Sequence, residues 1–279
     1  MRHRAHAVAP AVRSVASHAR RAAAAAFFLA LAIGSASAEV SAPPHYDHVV
    51  VVVFENRAYE QIQSSPDAAF FHELARRGAL FVDSHAVSHP SEPNYLALFS
   101  GSTQGVSDDG VHTFDRPDLA GDLAGAGKTF LGYVEKGSPG KHNPWESFAN
   151  AASLEAPMET FPSDFSTLPS VSFVIPNLWN DMHDGPIGAG DAWLRAHLGA
   201  YADWAQAHDA LLIVTFDEDD GRHANHVFTV FVGAHIRPGI RSQKIDHYDV
   251  LRTIEAIEVL PKTNSAGAGQ AITAPWERP

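Results

Sequence analysis

Residues 88–94 read Ser-His-Pro-Ser-Glu-Pro-Asn and lead into the apolar run Tyr-Leu-Ala-Leu-Phe before Ser-Gly. Ser91, between two prolines at the start of a helical pattern, is open to two readings. Serine is a preferred helix N-cap, and Pro93 suits the first turn. A hydroxyl there is equally well placed for a nucleophile, because free N–H groups at a helix N-terminus welcome an anion such as phosphate. A second cue is Asp217-Glu218-Asp219-Asp220-Gly221, directly after Leu-Leu-Ile-Val-Thr-Phe. Two adjacent carboxylates at the end of a buried strand repel unless a cation or a hydrogen-bonding shell compensates them; in water the same residues make an ordinary acidic turn. Glu55-Asn56 follow the run 49–54 in the same way. Together these oxygen donors favour Ca²⁺, Mg²⁺ or Mn²⁺, and a nearby His183 or His226 would admit zinc or iron. His142 and His183 are lone loop histidines, readable as surface residues or as catalysts, and His247 opens the last helical pattern.

These residues are far apart in sequence, so the elements must gather them. Val49–Val53 is an unbroken β-branched run, typical of a parallel strand buried on both faces. Further strands are expected at 79–87, 170–177, 210–216 and 226–233, and one closes the segment 119–135. A helical pattern closes 57–77 with Gly78 as its stop, and helices are expected after the Ser91 turn, at the start of 119–135, over 190–209 and over 246–260. Residues 136–168, rich in Pro, Gly, Ser and Asn, read as a long surface excursion. Alternating strands and helices predict an α/β fold: a doubly wound, mostly parallel central sheet flanked by helices. In such sheets the working residues collect past the carboxyl ends of the strands, where Glu55, Ser91, the 180–184 segment and Asp217 all fall.

The first 38 residues carry five arginines and no acid, then an apolar stretch ending Ala36-Ser37-Ala38. This reads as a signal peptide cleaved before Glu39, with Arg20-Arg21 leaving the export route open between the general and twin-arginine systems. Residues 39–279 are expected to form a single domain in a secreted or periplasmic protein with no integral membrane segment. That domain holds 15 basic against 32 acidic residues, a net charge of −17. Such a surface argues against nucleic acid and anionic lipid as partners and suits a cation-binding site. With no cysteine, an exported chain must be held by packing rather than disulfides.

The segments VVVVVFENRAYEQI, SHAVSHPSEPNYLALFSGSTQGV, KHNPWESF, PSVSFVIPNLWNDMHDG, GDAWL, LLIVTFDEDDG and DHYDVLRTIE, in that order, resemble the bacterial phosphoesterase family of acid phosphatases and phospholipase C-like enzymes, within the alkaline phosphatase superfamily. The resemblance covers most of 47–258. It implies a metal-dependent acid phosphatase acting on a small phosphorylated substrate through one divalent ion (Ca, Mg, Mn or Zn) and a phosphoserine. Glu55, Asn56, Asp217 and Glu218 match the metal-binding positions, with Ser91 as nucleophile and shared metal ligand. His142 and His183 match positions that contact phosphate or protonate the leaving group, and Asn94 joins them as a candidate substrate contact. Two protonated histidines would give an acidic optimum. Related readings are a phosphodiesterase or phospholipase C-like hydrolase on the same site, and an exported metal-binding protein without turnover.

Overall fold

The structure, a computed structural model, describes residues 42–263 and 269–276; the expected leader at 1–38 lies outside them. Ten strands are described: β1 (His48–Phe54), β2 (Ala79–Phe81), β3 (Ser84–His85), β4 (Phe130–Val134), β5 (Glu155–Pro157), β6 (Val171–Ile175), β7 (Ala210–Phe216), β8 (Thr229–Gly233), β9 (Gly239–Arg241) and β10 (Ile245–Asp246). The α-helices are α1 (Tyr59–Ser64), α2 (Ala69–Arg77), α3 (Glu92–Ser100), α4 (Leu119–Gly125), α5 (Ile187–Ala205) and α6 (His247–Ile257). Eight strands form one sheet in the order β5-β4-β6-β1-β7-β8-β2-β9, and β3 pairs with β10 apart from it. The strands β5, β4, β6, β1 and β7 run parallel, whereas β8 is antiparallel to both β7 and β2.

The valine run explains the layering. Side chains alternate across a strand, so Val49, Val51 and Val53 pack with Leu96, Phe99, Leu251 and Ile254 of α3 and α6. Val50, Val52 and Phe54 pack with Phe71, Leu74, Leu194 and Leu198 of α2 and α5 on the other face. Both sides of β1 are therefore dry, as its composition predicts. The doubly wound, mostly parallel sheet is the expected fold.

Several local expectations differ. The helical pattern expected to close 57–77 at Gly78 is α2; a short α1 precedes it, set apart by Ser65, which precedes Pro66 and takes an extended backbone. The strand expected over 79–87 divides into β2 in the main sheet and β3 against β10. The 136–168 excursion is built from short 3₁₀ turns, at Gly140–His142, Pro144–Ser147, Met158–Thr160 and Phe165–Thr167, and contains the edge strand β5.

The turn Pro144–Ser147 carries Trp145, fully buried against β4. A Cβ added at Gly132 of β4 would lie 2.1 Å from the indole ring. Gly132→Ala is thus an overpacking change that must push the indole and the His142 segment beside it. It is expected to cost about 2 kcal/mol, a fall of roughly 4–8 °C in melting temperature. Thermal denaturation checks this, and an unchanged melting temperature would mean that Trp145 is not packed there.

Candidate active site

The carboxyl ends of β1, β6 and β7 are stitched together just where their acidic residues begin. Glu55 N–H donates to the Asp181 carbonyl at 2.8 Å, and Asp217 N–H donates to the Phe54 carbonyl at 2.8 Å. Asn56 adopts a left-handed backbone (φ 50°), a conformation asparagine tolerates better than most side chains. From there its N–H donates to Asp217 Oδ1 (3.1 Å) and its side-chain amide to Glu55 Oε2 (2.9 Å). Asn56 thus bridges the two acidic motifs.

Ser91 decides between its two readings. It stands at the N-cap of α3, yet its side chain makes no capping hydrogen bond. Its hydroxyl faces Glu55 Oε2 at 3.2 Å and Glu218 Oε1 at 3.3 Å, with the Asp217 carboxylate close by. A buried hydroxyl surrounded by three carboxylates has no capping role to explain it. The N-terminus of α3 is not an open anion cradle, however. Asp109 Oδ1 accepts from Glu92 N–H (3.1 Å), Pro93 has no N–H, and Asn94 N–H donates to the Ser91 carbonyl (2.9 Å).

Asn94 differs from expectation. Its carbonyl oxygen accepts from Val87 and Ser88 N–H, both at 3.0 Å, and its amide donates to the Ser88 and Pro90 carbonyls. With both ends engaged it braces the loop that presents Ser91 rather than offering itself to substrate. The expectation that His142 acts as an imidazolium also meets an obstacle. The ring is wholly buried, and burial, with Lys141 and His183 nearby, lowers its pKa to about 3. It lies 3.2 Å from Glu55 Oε1 and 3.7 Å from Asp181 Oδ2, but neither approach is aligned as a hydrogen bond. His183 is more accessible at the mouth, its ring centroid 6.3 Å from that of His142 and its Nδ1 2.7 Å from Asp184 Oδ1. His226 is elsewhere engaged, with Glu60 and the Val82 carbonyl on its two nitrogens. His247 lies beneath the site, 2.6 Å from the Asp217 carbonyl.

Two participants escaped sequence reasoning, and a third, Asp181, is expected at this edge but without a role. Tyr95 donates to Glu55 Oε1 at 2.5 Å and stacks on His142. His89 reaches Glu218 Oε2 at 2.7 Å and Asp219 Oδ1 at 3.2 Å. Asp181, fully buried, holds the His183 N–H at 2.7 Å through one oxygen and leaves the other without a partner. Tyr95 had a usable signal: it lies one helical turn after Ser91 and so shares its face.

The donor set fits a divalent cation. Asp217 Oδ2 and Asp181 Oδ2 are buried oxygens without partners, a costly state that an ion would relieve. Burial, then Asp217 and Asp181, holds Glu55 well above the carboxylate range; burial, then Glu218, does the same for Asp217. Burial also raises Asp181 and Glu218 to about 7. The carboxylates stand around Ser91 rather than meeting at one point, and Ser91 Oγ and the Asn56 side chain lie among them.

A pH signature follows for the metal-free protein. These groups hold protons more tightly in the fold than in the unfolded chain, where carboxyls titrate near 4. Their contribution to stability is complete below about 4 and is withdrawn as pH climbs through about 7 for Asp181 and Glu218. Chelated protein is therefore expected to lose several degrees of melting temperature between pH 5 and 8, and protein loaded with a divalent ion to lose much less. Parallel melting curves with and without chelator check this; identical slopes would contradict it.

Comparisons with known proteins fit this geometry. A family model described as the Phosphoesterase family matches residues 63–261. The chain is 47% identical to a phosphatidylinositol-3-phosphatase of Mycobacterium tuberculosis over 253 residues, 85% of each protein. It is 27% identical to an acid phosphatase of Aspergillus fumigatus, covering 86% of this chain and 63% of that protein. Among solved structures, a protein in the alkaline phosphatase superfamily from Vibrio parahaemolyticus superposes with a TM-score of 0.61 at 16% identity, covering 86% of this chain and 72% of that one. The C-terminal periplasmic domain of EcEptC from Escherichia coli, in complex with Zn, gives 0.58 at 8% identity, covering 86% and 89%. Likenesses at such low identity speak for the fold alone.

Proposed function

This chain belongs to the phosphoesterase family and is a phosphoric monoester hydrolase; from that premise we propose a secreted, divalent-metal-dependent acid phosphatase that turns over through a phosphoserine at Ser91. The observation that carries this reading is the uncapped, buried Ser91 hydroxyl set among Glu55, Asp217 and Glu218. Glu55, Asn56, Asp217, Glu218 and Ser91 Oγ would hold the ion. When bound, the ion supplies acidification of the serine hydroxyl and neutralisation of phosphoryl charge.

The chain's own groups do the rest. Ser91 Oγ attacks phosphorus, its proton passing to one of the carboxylates that face it, and the ester oxygen leaves opposite. His183, at the mouth, donates the proton that the leaving alkoxide takes, and its neutral imidazole then draws a proton from the water that cleaves the phosphoserine. His142 acts as a neutral ring: wedged between Glu55 and Asp181 and stacked on Tyr95, it fixes the wall behind Glu55. An optimum requiring both histidines protonated does not hold, because buried His142 stays neutral.

The name of the Mycobacterium tuberculosis relative suggests phosphorylated phosphatidylinositol as one substrate to examine. The decisive experiment assays purified protein on a monoester panel that includes a phosphoinositide, beside a bis-ester. The panel is run before and after chelation, with Ca²⁺, Mg²⁺, Mn²⁺ and Zn²⁺ restored singly. Monoester hydrolysis lost on chelation and restored by one of the ions is expected. Faster bis-ester hydrolysis would favour the phosphodiesterase or phospholipase C-like reading, and no turnover under any condition would favour a metal-binding protein.

A further inference from the structure

We propose that Glu92, Asp108 and His112 form a second cation site, of the zinc or manganese type, distinct from the carboxylates around Ser91. Glu92 is the first residue of α3 and only 2% exposed. Its Oε1 lies 3.0 Å from His112 Nδ1, while its Oε2 is buried with no hydrogen-bond partner. His112 Nε2 lies 3.3 Å from Asp108 Oδ1, and one donor atom from each of the three residues falls within 4.8 Å of the others. An ion pair with His112 accounts for one Glu92 oxygen and leaves the other desolvated and unpaired, a costly state for a buried carboxylate. A cation on His112 Nδ1 would meet the Glu92 carboxylate and compensate its charge, with the exposed Asp108 side chain turning in from the Nε2 edge to complete the set.

The neighbouring chemistry supports the choice. One imidazole nitrogen with two carboxylates is a mixed donor set suited to Zn²⁺ or Mn²⁺, and three protein ligands leave room for water. Asp108 is largely exposed, and a cavity of about 360 Å³ lined by Glu92, His112, Thr113 and Lys141 adjoins the cluster, so an ion has an entry path. The other convergent trio, Asp219, Asp220 and His223, contrasts with it. There both Asp219 oxygens are taken by the backbone N–H groups of Gly221, His223 and Asn225, leaving no orphan for an ion to satisfy.

The site would act on a loop rather than on the reaction. Segment 106–113 is already tied to the start of α3 by Asp109, which accepts from Glu92 N–H and pairs with Lys141 Nζ at 2.6 Å, and it carries the fully exposed Val111. An ion between Glu92, Asp108 and His112 adds a tether on the far side of Asp109 and fixes this loop beside the nucleophile helix.

The test counts zinc or manganese bound per chain after chelation and dialysis against the single metal chloride, with limited proteolysis of the loop as a second reading. Wild-type protein is expected to bind two ions and His112→Ala one. Asp108→Asn, at an exposed position with little bearing on folding, is expected to weaken one ion at least tenfold. Loss of this ion should expose 106–113 to protease. Asp217→Asn should also leave one ion, with the loop still protected, which separates the two sites. A count that neither His112→Ala nor Asp108→Asn changes overturns the proposal. So does a single wild-type ion that disappears only with Asp217→Asn. If His112→Ala removes an ion and Asp217→Asn does not, the second site stands and the assignment around Ser91 falls.

Discussion

Ser91→Ala is expected to lower kcat for a phosphomonoester by at least about 10⁴-fold, equivalent to about 5.5 kcal/mol of barrier. The size follows from the double role of the hydroxyl, which is both the attacking atom and a member of the set that closes the cation site. Removing it takes away the covalent route and opens the cage at once. The fold should be almost indifferent, because Ser91 Oγ caps nothing. Its partners are carboxylates that burial already pushes toward protonation. A melting temperature within a few degrees of wild type is therefore expected beside the collapse in rate. Acid quenching during turnover of a phosphate-labelled ester should trap label on the wild-type chain and none on the variant. If the variant keeps more than a tenth of the activity, Ser91 is not the nucleophile.

That prediction rests on residues legible in the sequence, and the reason is geometric. Parallel strands buried on both faces announce themselves as apolar runs, so the residues just past 49–54 and 210–216 can be placed at one edge without coordinates. Glu55, Asn56, Asp217 and Glu218 fall at that edge in the structure, directly after β1 and β7. Tyr95, by contrast, lies inside an apolar helix start and reads as core, although its hydroxyl ends on Glu55. His89 looks like part of a proline turn; its role exists only because the loop after β7 comes back beneath it. Asp181 sits in a polar stretch where nothing local distinguishes it from Asp184, yet one is fully buried and the other exposed. Burial also decides against the expected charge on His142, since a lone histidine in a loop gives no hint that its ring will be sealed between two carboxylates. The 3₁₀ turns of 136–168 are similarly silent, because single i→i+3 turns impose no periodicity on the residues that make them.

The second large effect separates a metal cage from a mere acidic cluster, because the two give opposite signs. Asp217→Asn keeps the shape of the side chain, and its carbonyl oxygen can still accept from Asn56 N–H as Asp217 Oδ1 does at 3.1 Å. What disappears is one negative charge, next to Glu55 and Glu218, at a fully buried position. Without metal that loss is a relief: Glu55 is no longer pushed by Asp217, and the new amide can donate where Oδ2 had no partner. The chelated variant is therefore expected to melt several degrees above chelated wild type at pH 8, where the like charges oppose one another most. With metal the order reverses, since the wild type gains binding energy that the variant cannot collect in full. Activity should fall at least about 10³-fold, roughly 4 kcal/mol, the scale of losing an ion's charge stabilisation at a phosphoryl group. Melting curves of both proteins with and without the ion, read beside kcat, decide the matter. If the variant is less stable than wild type in chelator as well, Asp217 is held by some other partner, and the three carboxylates around Ser91 are not a cage waiting for a cation.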